Sequence, residues 1–147
     1  SLPLVDRDGN QLRVLAGEAY GASSPVHVLS PLFYVEAFLS AGGTLNLPDD
    51  YAERALYVVE GAVSCGPERA SPGRMLIFET GRAIRISAEH GARVMLFGGE
   101  PLDGELHIWW NFVSSSTDRI EKARHDWQAG LFPTVPGDER EFIPAPH

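Results

Sequence analysis

From Leu4 to Val113 the chain is a succession of short apolar runs punctuated by Gly, Pro, Asn and Asp. "LVDRDGNQLRVLAG" reads as a hairpin turning at Asp8-Gly9-Asn10, and "SPLFYVEAFLSAGG" as a long strand broken at Gly42-Gly43. "RALYVVEGAVSCG", "GRMLIFETG", "AIRISAEHG", "ARVMLFGGEPL" and "ELHIWWNFV" follow with no helical pattern between them. Runs this short and this closely spaced restrict the chain to a β-sandwich or β-barrel. A doubly wound sheet needs alternating helices, so it is excluded. In the long strand, Phe33, Val35, Ala37 and Leu39 share one face, and Leu32, Tyr34 and Phe38 the other. Both faces are fairly apolar.

The period changes after Val113. "SSSTDRIEKARHDWQAG" opens on Ser/Thr cap candidates and closes on Gly130, and Ile120, Ala123, Trp127 and Leu131 recur at helical spacing. The tail "LFPTVPGDEREFIPAPH" holds four prolines and cannot be regular, yet Phe132, Val135, Phe142 and Ile143 predict that it lies against something. The reading is therefore a β-barrel over 1–113, and over 114–147 a helix and extended tail packing on the barrel or on a partner domain. Adjacent on a strand, Trp109 and Trp110 are expected to face opposite ways.

A length of 147 residues suits one domain with a real core. Twenty acidic against twelve basic residues give a formal net charge of −8, which repels phosphate backbones. The most basic stretch, "DRIEKARHDW", interleaves its cations with Asp118, Glu121 and Asp126 and reads as a solvated helix face. Nucleic acid is not an expected partner. No apolar run approaches the ~18 residues that span a bilayer, and none forms the core of a leader. With a single cysteine, Cys65, no intrachain disulfide can form. A cytoplasmic protein without membrane contact is the expectation.

The glycine frame carries a resemblance. Cupin barrels have a first motif of His-x-His, three or four residues, Glu, six residues, Gly. Their second motif is Gly, five residues, Pro-x-Gly, two residues, His, three residues, Asn. Anchored on Gly61, the first motif puts its Glu on Arg54 and its histidines on Leu47 and Asp49, or on Pro48 and Asp50 with the shorter gap. Anchored on Gly73, the second reaches Glu79, Gly81, Ile84 in place of His, and Ala88 in place of Asn. The turn glycines keep their places and the ligands are gone. Ile84 and Ile86 fall on one side of a strand with Arg85 opposite, which suits a packed interior. An arginine at a carboxylate ligand position repels a cation.

The C-terminal quarter, with "IWWNFVSSS", the helix and "VPGD…EFIP", resembles the closing segment of bacterial pirin-like proteins, and "SPLFYVEAFLSAGG…ERALYVVEG" extends the similarity over most of the chain. Pirins are two-cupin proteins whose amino-terminal barrel holds a metal, usually iron, on three His and one Glu. This chain resembles the carboxy-terminal, metal-free cupin. The resemblance implies an all-β single cupin (double-stranded β-helix, jelly-roll) barrel with one C-terminal α-helix and a Pro-rich tail. It implies no cofactor in this chain, and iron or another divalent metal only in an amino-terminal domain.

Three functions follow as expectations. The first is a structural, domain-contact or protein-interaction module whose partner is an amino-terminal cupin domain or a second copy. The second is part of a metal-dependent, flavonol (quercetin) 2,3-dioxygenase-like enzyme with its active site in that other domain. The third is a binder of a small aromatic ligand. No catalytic, cofactor or metal residue is assigned. The contact candidates are Trp127, Leu131 and Phe132. His27, His90, His107, His125 and His147 are scattered, and an unorthodox metal site would draw on His27 with Glu36 or Asp49. "SSS" lacks the setting of a nucleophile.

Overall fold

Asp8 and Gly9 both take positive φ, 54° and 76°, and so form the tight two-residue turn that closes the first hairpin. The computed structural model describes residues 1–146. The hairpin joins β1 (Leu4–Arg7) to β2 (Asn10–Ala19), and β3 (Ala22–Ser23) and β4 (Leu32–Leu39) follow. Next come β5 (Thr44–Asn46), β6 (Glu53–Gly61), β7 (Val63–Cys65), β8 (Glu68–Ala70), β9 (Met75–Phe78), β10 (Arg85–Ser87) and β11 (Ala92–Gly99). The chain ends with β12 (His107–Trp109), β13 (Phe112–Ser114) and α1 (Thr117–Gln128).

Two compact units result, Ser1–Pro101 and a second from Leu102 onward. The sequence reading placed its boundary at 113/114, whereas here β12 and β13 group with the helix. In the first unit a seven-stranded sheet runs β1-β2-β4-β11-β6-β9 with β3 on β2, and a four-stranded sheet runs β5-β10-β7-β8. All pairings are antiparallel. One apolar core joins the two sheets: Leu12, Val35, Leu56 and Leu96 from one meet Leu45, Val63 and Ile86 from the other. This is the expected all-β jelly-roll sandwich. Burying each such side chain contributes about 1.5–3 kcal/mol, so alternation alone fixes the register of the central strands.

On β4 that alternation resolves the ambiguity of the sequence. Phe33, Val35, Ala37 and Leu39 are buried, while Tyr34 and Phe38 on the opposite face stay more than a third exposed. The outer face of the large sheet thus carries partly covered apolar side chains, beside a charged cluster formed by Glu36 with Arg13 and Arg93.

In the second unit α1 packs on the β12–β13 hairpin. Gly130, at φ +68°, ends the helix: its N–H bonds the Trp127 carbonyl, and the Leu131 N–H bonds that of Asp126. Leu131 therefore lies beyond the helix and not in its apolar stripe, from which Ile120 is buried. The expectation for the tryptophan pair is also corrected. Trp110 occupies the two-residue hairpin turn at φ +53°, outside the strand, so alternation does not govern it. Both indoles join one aromatic cluster, with centroids 6.2 Å apart.

Candidate functional site

Of the four positions that hold ligands in the cupin frame, Arg54 lies on β6, and Leu47, Asp49 and Ile84 lie on two neighbouring loops of the first unit. One, residues 47–52, links β5 to β6, and the other, residues 79–84, links β9 to β10. Leu47 and Ile84 are buried and belong to the apolar core, joined by a bond from the Leu47 N–H to the Ile84 carbonyl at 2.9 Å. The Thr80 hydroxyl donates to the Ala52 carbonyl at 3.0 Å, a second link between the loops.

Arg54 is the third link. It opens β6 on the same side as Leu56 and Val58, which face the core, and it is only 2% exposed. Its Nη1 donates to the Pro48 carbonyl at 3.3 Å, and its Nη2 to the carbonyls of Glu79 and Arg82 at 3.2 and 2.7 Å. Its buried Nε finds no acceptor among the described residues. No carboxylate pairs with it within 4 Å there. Asp49, at the remaining ligand position, is exposed at the rim of a cavity of about 530 Å³ that also involves Arg7, Tyr20 and Arg85. The Tyr20 hydroxyl donates to the Asn46 carbonyl at 2.8 Å, and burial pushes its ionisation well above the ordinary value.

These residues do not fit a divalent ion. Two of the frame's positions are aliphatic and one is a guanidinium, and among the described residues no group of three His, Cys, Asp or Glu converges. His27, considered with Glu36 or Asp49, takes part in no group of three such side chains among the described residues either. His27 lies exposed in the loop before β4. Glu36, buried on the outer side of β4, accepts from Arg13 Nη1 at 3.2 Å and from Arg93 Nε and Nη2 at 2.9 and 2.5 Å. His90 and His125 are exposed, His107 is half-buried on β12, and His147 lies outside the described residues.

The second feature is the outer face of the seven-stranded sheet. Register aligns Ala16, Tyr34, Phe97, Ala55 and Ile77 in one row across five strands, with Tyr57 and Met75 in the next row. Tyr34 and Phe97 meet edge to face at 6.1 Å. A groove of about 980 Å³ runs over Gly99 and Ala55, between Tyr34 and Phe97 on one side and Met75 and Ile77 on the other. Ile77 is 80% exposed. Local sequence gave this groove no signal beyond the apolar outer face of β4, because its rows exist only after five strands pair.

The contact candidates lie in the second unit. Trp127 meets Trp110 edge to face at 5.2 Å, stacks with Phe142 at 5.8 Å, and donates its indole N–H to the Ile143 carbonyl at 2.9 Å. Phe132 stacks on Phe112 at 5.6 Å. Both belong to the unit's own aromatic cluster, whereas Leu131 is exposed. No described helix is long and apolar enough to cross a membrane.

Residues 34–133 match the profile of the pirin C-terminal cupin domain. The chain is 46% identical over 145 residues to a pirin-like protein of Caulobacter vibrioides, covering 99% of this chain and 50% of that protein. Among solved structures, one of quercetin 2,3-dioxygenase from Acinetobacter baumannii superposes with a TM-score of 0.89 at 30% identity, over all of this chain and 50% of that one. A second, under the same name and from the same organism, gives 0.77 at 25% identity over 89% and 47%. This chain thus spans about half the length of the relatives it matches.

Proposed function

The chain belongs to the pirin family as its C-terminal cupin domain, and from that premise we propose that it is a metal-free module presenting a surface to the other half of a two-cupin protein. The observation that carries this reading is the apolar outer face of the seven-stranded sheet. Tyr34, Tyr57, Met75 and Ile77 are all more than a third exposed there. A contiguous apolar face of this kind marks a docking surface rather than ordinary protein exterior. The occupant proposed for it is the half of the Caulobacter relative that this chain does not match, which the resemblance to two-cupin pirins makes an amino-terminal cupin. The metal-free part of the reading is supported by Leu47, Arg54 and Ile84 at the ligand positions.

Co-expression of this chain with the unmatched half of the Caulobacter protein tests it. A one-to-one complex that Ile77→Lys and Met75→Glu disrupt is the expected result. Two halves that never associate, or a complex indifferent to both substitutions, would overturn it.

A second reading draws on the quercetin 2,3-dioxygenase name of the Acinetobacter structures. In it, the reassembled protein would act on a flavonol, and the iron supplying the oxygen chemistry would be held wholly outside this chain. Quercetin turnover by the reassembled halves, unchanged in rate by Asp49→Ala in this chain, is the expected outcome. Dependence of the rate on Asp49 would place part of the centre here.

A further inference from the structure

Buried arginines are ordinarily paired with carboxylates, because an uncompensated charge away from water costs several kcal/mol. Arg54 breaks that pattern. It is 2% exposed, yet its acceptors are three backbone carbonyls, those of Pro48, Glu79 and Arg82. The three oxygens come from two loops that are far apart in sequence and hold Leu47, Asp49 and Ile84, the three frame positions where the histidine ligands of a cupin metal would stand, while Arg54 on β6 stands at the fourth. A ring of carbonyl oxygens is how proteins hold hard cations, since each dipole turns its negative end inward. The planar fork of an arginine can reach several such oxygens at once, as the single ammonium of lysine cannot.

We infer that these carbonyls form a cation site that the chain fills with its own guanidinium, so that Arg54 replaces a metal ion as the tie between the 47–52 and 79–84 loops. The inference is independent of the docking reading above, since Arg54 faces the core and not the outer surface. It also gives a reason for the lost ligands: with a fixed positive charge in place, imidazoles and a carboxylate around a second cation are no longer sustainable.

Hydrogen–deuterium exchange on three variants tests this. In Arg54→Met, amides of both loops exchange at least about tenfold faster, while those of β2 and β4 keep their protection. Arg54→Lys falls between the native chain and Arg54→Met. In Arg54→Ala, millimolar methylguanidinium restores loop protection and the same concentration of urea, which offers a planar N–H fork without the charge, does not. Native protection of both loops in Arg54→Met overturns the inference, as does restoration by urea as well as methylguanidinium, or by neither. Should Arg54→Ala fail to fold, the Met and Lys variants decide: a Met variant as protected as the Lys variant shows that charge is not what holds the loops.

Discussion

Arg93 holds Glu36 across the β4–β11 pair, its Nε and Nη2 standing 2.9 and 2.5 Å from one carboxylate oxygen. Arg13 of β2 takes the other oxygen at 3.2 Å. Three adjacent strands are thus crossed by a single carboxylate on the outer face of the sheet. The arginines remain partly exposed, at 38% and 46% of their side chains, while the glutamate side chain is 7% exposed.

Replacing Glu36 by Leu removes the one anion that both arginines share. The expected loss is about 1–3 kcal/mol, below the value for a fully buried pair because water screens both arginines. Urea unfolding of Glu36→Leu measures it, and Arg93→Met in the same background should recover part of the loss. A single variant within about 0.5 kcal/mol of the native chain would show that the triad is ornamental to stability.

Asn10 is fully buried directly after the first turn. Its Nδ2 donates to the carbonyls of Arg7 and Thr44 at 3.1 and 2.9 Å, and its Oδ1 accepts the Ser40 N–H at 3.1 Å. The side chain pins the β1–β2 hairpin to the turn between β4 and β5. Asn10→Ala strands these groups and should cost about 1–3 kcal/mol. Thermal unfolding reads the loss, and an unchanged midpoint would mean that water replaces the side chain without penalty.

Gly98 is not at positive φ, so space rather than backbone conformation explains it. A Cβ there would run into the Glu53 carbonyl oxygen and come within 2.7 Å of the Phe33 ring. Gly98→Ala should therefore push β11 from β6 and destabilise the chain by about 1–3 kcal/mol, the cost typical of overpacking. A crystal structure of the variant with both strands unmoved and stability unchanged would refute this.

The alternation of Phe33, Val35, Ala37 and Leu39, the turn at Asp8-Gly9, and the inward side shared by Ile84 and Ile86 were all legible because they are local sequence signals. The sequence also assigned Arg54 to a ligand position. Its partners lay beyond such reading: Glu79 and Arg82 are 25 and 28 residues away, and backbone carbonyls leave no trace in residue type. The outer-face row of Tyr34, Phe97 and Ile77 was hidden for the same reason. Trp110 misled for a different one: a bulky residue at positive φ is strained, so the strand rule was the better bet and lost to the turn.

Ile77→Lys places a charge on the exposed outer face without touching the core. Stability should stay within about 0.5 kcal/mol of the native chain. Self-association of the isolated chain at high concentration, followed by sedimentation velocity, should fall. Equal association in both chains would place the sticky surface elsewhere, with Ile108 and Val113, an exposed cross-strand pair on the other hairpin, the next to substitute.

Burial, and then the nearby Glu68 anion, push the Cys65 thiol up to about 11 from an ordinary 9.0. The folded chain therefore favours the protonated thiol. The corresponding stability is complete below about pH 9 and drains away as pH rises towards 11. Buried Tyr20 acts in the same direction from higher pH, since its phenol is also raised. Denaturant unfolding at successive pH values between 8 and 10.5 should show stability falling with pH in the native chain. In Cys65→Ala the fall should be shallower and confined to the upper end, where the raised phenols of Tyr20 and Tyr51 contribute. Two parallel curves would mean that the Cys65 thiol ionises in the folded chain as easily as in the unfolded one.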